Sequence, residues 1–192
     1  MAALQQVAER VVVQSDREKL SYMRRKAHEA ARKPEIVELA TRLVRPFRAD
    51  DWRGRVNAVY RFVRDGIRYQ RDPGRREQLA DPRVPLELTG VGDCDDKIAA
   101  FVALLGAVGI EADFWPLWKH EQSDDPELAH VQGGARWPGS ERLPGARSGA
   151  EVLDGPPGAG WIVSDPTIAG AELGVDPRTL PKNPDTGAAP LS

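Results

Sequence analysis

The sequence contains a single cysteine in 192 residues. No internal disulfide can form, so nothing calls for an oxidising compartment. Long apolar runs are also missing. No stretch approaches the ~20 apolar residues that cross a bilayer as a helix, and "MAALQQVAERVVVQSDREK" carries Glu9 where a secretory signal would be apolar. Charge of one sign is scarce as well: the net charge is −2 and the pI about 6.0, which removes the electrostatic reason to expect nucleic acid as partner. Only three histidines are present, so candidates for proton transfer are few. These absences leave a soluble protein, expected in the cytoplasm, with neither nucleic acid nor membrane as partner. The apolar content of 41% is enough, at this length, for one domain with a real core.

The first half of the chain reads as helices. Ser15 or Asp16 can cap "SDREKLSYMRRKAHEAARK", with Glu18 in its first turn. Pro34 suits the first turn of "PEIVELATRLVRPF", where Ile36, Leu39, Ala40, Leu43 and Val44 share a face and Pro46 ends the helix. "DDWRGRVNAVYRFVRDGIRYQRD" repeats Val56, Val59, Tyr60, Val63 and Ile67 at helical spacing, closes near Gly66 and runs into a short extended "IRYQ". Pro73, Pro82 and Pro85 make the next segment irregular. Ile98, Phe101, Val102, Leu105 and Val108 then predict a mostly buried helix over 94–108, with Gly109 at its left-handed C-terminal cap.

Three strands are predicted after that helix, in "IEADFWPLW", "AHVQGGARW" and "GWIVSD". A polar loop, "KHEQSDDPEL", separates the first two, and a Gly/Pro-rich loop from Pro138 to Gly160 separates the last two. Helices first and antiparallel strands afterwards argue an α+β fold rather than a doubly wound parallel sheet. The expected organisation is an N-terminal helical segment (1–50), a main domain (51–170) and a poorly ordered tail (171–192).

The lone Cys94 sits in "TGVGDCDDKIAAFVALLGAVGI", at the start of the central helix. A thiol is a strong nucleophile only as thiolate, and helix N-terminal N–H groups favour the anion. Asp93 can cap the helix, and Gly90 and Gly92 let the backbone approach closely. Asp95 and Asp96 stabilise the first turn, yet their charge opposes the thiolate, so a cationic partner is required. Read by itself, a cysteine in this place is better explained as a small buried residue than as a nucleophile. No second Cys or His stands at zinc spacing, so neither metal nor cofactor is expected.

Of the histidines, His28 lies on a charged helix face, His120 in the polar loop, and His130 at the start of a strand, the best-fixed of the three. If the last two strands pair antiparallel with His130 opposite Asp165, Gln132 opposite Val163 and Gly134 opposite Trp161, His130 and Asp165 share a face as cross-strand neighbours. A one-residue slip would separate them. This pairing predicts His130 within hydrogen-bond reach of both Cys94 and Asp165.

"GDCDDKIAAFVALLGAVGI", a later strand-initial His130 and "WIVSDPT" together resemble the transglutaminase-like superfamily of papain-type cysteine enzymes, in particular its bacterial and phage branch. "PEIVELATRLVR", "VNAVYRFVRDGIRYQRDP" and "EQLADPRVPLELTGVGDCDD" resemble the leader of the phage-type members. The resemblance covers about residues 34–168. It implies a papain-like α+β fold with the nucleophile helix packed on an antiparallel sheet. It also implies Cys94 as nucleophile, His130 as its proton-exchanging partner and Asp165 as the acid that orients the imidazole. The implied activity is acyl transfer on protein or peptide amides through a thioester, as a protease or amidase. A cross-linking transamidase and a catalytically silent phage-type binding module, with virion proteins as partners, are the alternatives. For the oxyanion, the Cys94 N–H is one expected donor and Tyr69 or Gln70 a second. "HVQGGAR" departs from the family in placing glycines where an aromatic or acidic residue often follows the histidine.

Overall fold

A computed structural model of the chain describes residues 15–71, 79–119, 127–137, 161–168 and 170–174, without the side chains of Arg17, Trp118, Lys119 and residues 127–129. The expectations for residues 1–14, for His120, for the Pro138–Gly160 loop and for the end of the tail lie outside the described residues.

Helix α1, Asp16–Ala30, is capped by the Ser15 hydroxyl, which accepts from the Glu18 N–H. Helix α2, Pro34–Val44, starts on its proline, and Ile36, Ala40 and Val44 form its buried stripe. Helix α3, Trp52–Gly66, is capped by Asp51, whose carboxylate accepts from the Gly54 N–H, and buries Trp52, Val56, Val59, Tyr60 and Val63. The chain then extends as strand β1, Arg68–Tyr69. The proline-rich segment holds one element that the sequence did not predict, a wide helical turn at Val84–Thr89 that closes on Gly90 in the left-handed region (φ 63°). Pro85 sits at its start, where a missing N–H costs nothing. Strand β2, Val91–Gly92, pairs in parallel with β1.

Helix α4, Cys94–Ala107, is the axis of the fold. A reciprocal capping box opens it: the Asp96 N–H donates to Asp93 and the Asp93 N–H donates to Asp96. It closes with Gly109 at φ 74°, where the Ile110 N–H reaches back to Leu105 O and the Gly109 N–H to Gly106 O. This double bond pattern needs a left-handed residue, which explains the glycine. Every side chain from Ile98 to Leu105 is buried. Helices α1, α2 and α3 pack against α4 on one side.

The other side of α4 is covered by an antiparallel sheet of β3 (Ala112–Lys119), β4 (Glu127–Arg136) and β5 (Trp161–Ser164), with β4 central. Gly133 explains how closely the sheet approaches: a Cβ there would lie 3.3 Å from Phe101 Cδ1 and 3.4 Å from Ile98 Cγ2. The segregated helices and the antiparallel three-stranded sheet make the fold α+β, with the nucleophile-candidate helix packed on the sheet as expected. The core is continuous across residue 50, since Leu20, Met23 and Ala27 of α1 join the same apolar cluster as Phe101, Leu104 and Ile162. Among the described residues no helix is long and apolar enough to cross a membrane.

The expected strand register is corrected. β4 and β5 pair Gly133 with Ser164, Gly134 with Val163, Ala135 with Ile162 and Arg136 with Trp161. That is two residues away from the predicted pairing. A shift of two preserves the face on which each side chain emerges, because strand side chains alternate with period two.

Candidate active site

Three elements converge at the N-terminal end of α4. The turn Gly90–Asp93 leads into Cys94, the end of β1 runs beside it, and β4 crosses over it. Within this corner the two glycines have different jobs. Gly90 supplies the left-handed turn, whereas Gly92 leaves room for the cap, because a Cβ there would come within 2.6 Å of Asp96 Cβ.

His130 emerges from β4 opposite Leu117, next to an irregularity in the β3 pairing. Its Nε2 lies 2.7 Å from Asp165 Oδ2. Asp165 follows the last residue of β5 and is itself 2% exposed. Its other oxygen, Oδ1, accepts from the Thr167 N–H at 3.0 Å and from the Thr167 hydroxyl. "DPT" is thus a side-chain turn, in which an Asp bonds the backbone two residues on. Both carboxylate oxygens are held, so the acid has little freedom to rotate. The Tyr60 hydroxyl, which reaches the Asp165 and Ala171 carbonyls, ties this corner to α3. With Nε2 facing Asp165, Nδ1 is the ring nitrogen left to exchange a proton with a thiol.

Cys94 meets β4 one residue beyond His130, where the Val131 N–H faces the sulfur and favours its anion. The thiol donates to Asp95 Oδ1 at 3.8 Å, and among the described residues no hydrogen bond joins Cys94 to His130. The expected contact of His130 with Asp165 is therefore present, and the expected direct bond to Cys94 is not. Burial raises the Cys94 pKa well above the ordinary thiol range, and the negative charges of Asp95 and then Asp93 raise it further; Val131 and Lys19 act in the opposite direction.

Lys19 is a cation near the thiol that the sequence reading, which looked to His130, did not consider. Its Nζ lies 3.3 Å from Asp95 Oδ2, and both side chains are buried. No local pattern links α1 to α4, so only the fold reveals the pair. Lys97 was also missed, although its spacing three residues after Cys94 on a buried helix was a usable signal. It is buried and donates to Arg64 O at 3.0 Å and Ile67 O at 2.8 Å, at the end of α3. Burial lowers its pKa to about 8, while the negative charge of Asp165 resists that shift.

The two residues suggested as second oxyanion donors are both exposed. The Gln70 N–H is committed to Gly92 O at 3.0 Å, and its side chain is exposed. Tyr69 is 43% exposed rather than packed in the core. Its pKa is raised by burial and then by the charge of Cys94, while a hydrogen bond with Arg71 acts in the opposite direction.

Asp93, Cys94 and Asp95 present ligand atoms within 4.8 Å of one another, a grouping that could in principle hold a cation. Both carboxylates already have partners, Asp93 in the capping box and Asp95 with Lys19.

The profile of the transglutaminase-like superfamily matches residues 38–166. Among solved structures, the chain is similar to a candidate cysteine protease of Cytophaga hutchinsonii, at 17% identity with a TM-score of 0.48, over 85% of this chain and 47% of that one. It is also similar to a candidate protease of Parabacteroides distasonis, at 14% identity with a TM-score of 0.50, over 80% of this chain and 30% of that one. The chain thus spans less than half the length of either, and at such identity the likeness bears on the fold alone. No curated protein matches the chain.

Proposed function

Because this chain belongs to the transglutaminase-like superfamily, we propose that it is a cysteine hydrolase acting on protein or peptide amides, with Cys94, His130 and Asp165 as its catalytic groups. The observation that carries this reading is the 2.7 Å bond from His130 Nε2 to a carboxylate whose two oxygens are both held. It fixes the imidazole tautomer so that Nδ1 can take a proton, which is what a thiol nucleophile needs from its base.

In the proposed cycle His130 Nδ1 removes the Cys94 proton as the sulfur attacks the amide carbonyl carbon. The C–N bond of the tetrahedral intermediate then breaks, and His130 returns the proton to the leaving amine. Water adds to the thioester with His130 again accepting a proton, the C–S bond breaks, and the acid and the thiol are released. The N–H of Cys94, at the first position of α4 and without an intrahelical acceptor, and the Tyr69 hydroxyl are the oxyanion donors in this scheme.

A second reading is favoured by one observation. The thiol rests on Asp95 with its pKa raised, as it would in a silent binding module on the same fold. A library of peptides incubated with wild type, Cys94→Ala and Asp165→Ala discriminates. Cleavage that vanishes in Cys94→Ala and falls by about 10²-fold or more in Asp165→Ala, which removes the group that orients the imidazole, supports the hydrolase. Amine incorporation in place of cleavage identifies a transamidase. Identical, inactive profiles for all three proteins leave the silent module.

A further inference from the structure

The candidate nucleophile is coupled to a helix that lies outside the corner where the chemistry is proposed. Cys94 donates its thiol proton to one oxygen of Asp95, Oδ1, at 3.8 Å. The second oxygen, Oδ2, faces Lys19 Nζ of α1 at 3.3 Å. Asp95 and Lys19 are 2% and 5% exposed, so little water screens them. We propose that Lys19 and Asp95 form a buried two-charge control element that holds Cys94 as a hydrogen-bonded thiol at rest, Asp95 retaining the proton on sulfur and Lys19 limiting how strongly it does so.

The proposal rests on Cys94 being the nucleophile and adds what governs its proton. Asp95 by itself would keep the sulfur protonated, since an acceptor-only carboxylate rewards the thiol and repels the thiolate. Lys19 withdraws part of that charge from behind. The net effect is a nucleophile that waits for its base, rather than a standing thiolate open to oxidation. Among the described residues, the other charged or titratable groups that act on the sulfur are Asp93 in the cap and Tyr69 at the end of β1, while His130, bonded to Asp165, sits one residue before Val131 on β4. None of these bridges α1 to α4. Lys19 and Asp95 are positioning residues in this scheme, because they act on the substrate only through the sulfur.

The test exploits the single cysteine. The rate of iodoacetamide modification of Cys94, followed by mass spectrometry across pH, reports its titration directly in the full chain. Asp95→Asn is expected to lower the midpoint by about 1–3 pH units, the range for removing a neighbouring like charge. In Lys19→Gln/Asp95→Asn, where two amides replace the ion pair and no charge is left buried, the midpoint is expected to rise again above that of Asp95→Asn. Both variants titrating as wild type does, with circular dichroism showing them folded, would overturn the proposal. So would a double variant indistinguishable from Asp95→Asn, which would remove Lys19 from the scheme. Peptide cleavage is scored separately. A moved midpoint without cleavage in any variant sinks the hydrolase and keeps the coupling, whereas cleavage with an unmoved midpoint does the reverse.

Discussion

Among the described residues, Lys97 carries a clear pH signature. It is a buried ammonium that bridges two carbonyls at the end of α3, with its pKa lowered from the ordinary 10.5 to about 8. An unfolded chain would keep that proton up to about its ordinary value. Between about pH 8 and 10.5 the unfolded state therefore binds more protons than the folded one, and this residue's contribution to stability rises with pH across that window. Below about pH 8 both states are protonated and the cost of burying the charge is fully present. In denaturant titrations from pH 7 to 10, wild type should gain stability relative to Lys97→Met as pH rises. The variant should also be weaker throughout by about 1–3 kcal/mol, because the Arg64 and Ile67 carbonyls lose their donor. A constant difference between the two proteins over this range would show that Lys97 does not titrate as described.

At the scale of elements, the spacing between α4 and β4 decides whether the corner exists. Gly133 is the contact point, with Phe101 and Ile98 at the distances of a tight van der Waals shell. Gly133→Val adds three carbons into that shell and should push β4 away from the helix, at about 1–3 kcal/mol of stability. Thermal unfolding would read the loss, and peptide cleavage should fall as well, because Val131 and His130 ride on the displaced strand. Unchanged stability and cleavage would mean that the helix and sheet absorb the new side chain without moving apart. The glycines after His130 looked like a departure from the family pattern, and the packing gives the first of them a reason.

The same scale shows what the sequence could reveal. Helices α2, α3 and α4 were legible because each repeats apolar residues at helical spacing, and α1 because Ser15 can cap it with Glu18 in its first turn; the Asp51 cap of α3 was not read. The wide turn at Val84–Thr89 was not legible, because Pro85 within it and Pro82 before it mask any period. The pairing of β4 with β5 was predicted two residues out. Periodicity fixes the face of a strand side chain and leaves its position along the partner open by steps of two. His130 and Asp165 were recoverable on parity alone, and the chemistry of "SDPT" could have added that the carboxylate is held by Thr167. The pairing of Lys19 with Asp95 joins two segments with no shared pattern and needed the packed helices.

For the molecule as a whole, the N-terminal helices are part of the core. Leu20 is 1% exposed and Ala27 fully buried in the cluster that surrounds α4. Arg24 of α1 donates to Asp113 of β3 at 2.8 Å, and Arg55 of α3 donates to the Val108 carbonyl at the end of α4. Leu20→Ala should therefore cost about 2–5 kcal/mol, the range for a fully buried leucine. Its unfolding should remain a single transition when followed by fluorescence and by circular dichroism. Two separated transitions would mean that α1 is an independently folding appendage.

The side-chain turn just past β5 makes the aim of the acid a local property of the chain. Asp165 Oδ1 accepts from the N–H and the hydroxyl of Thr167 two residues on, so the carboxylate is oriented by its own segment as well as by the imidazole it faces. A strain elsewhere in the sheet that spares residues 165–167 would leave the carboxylate presented as before.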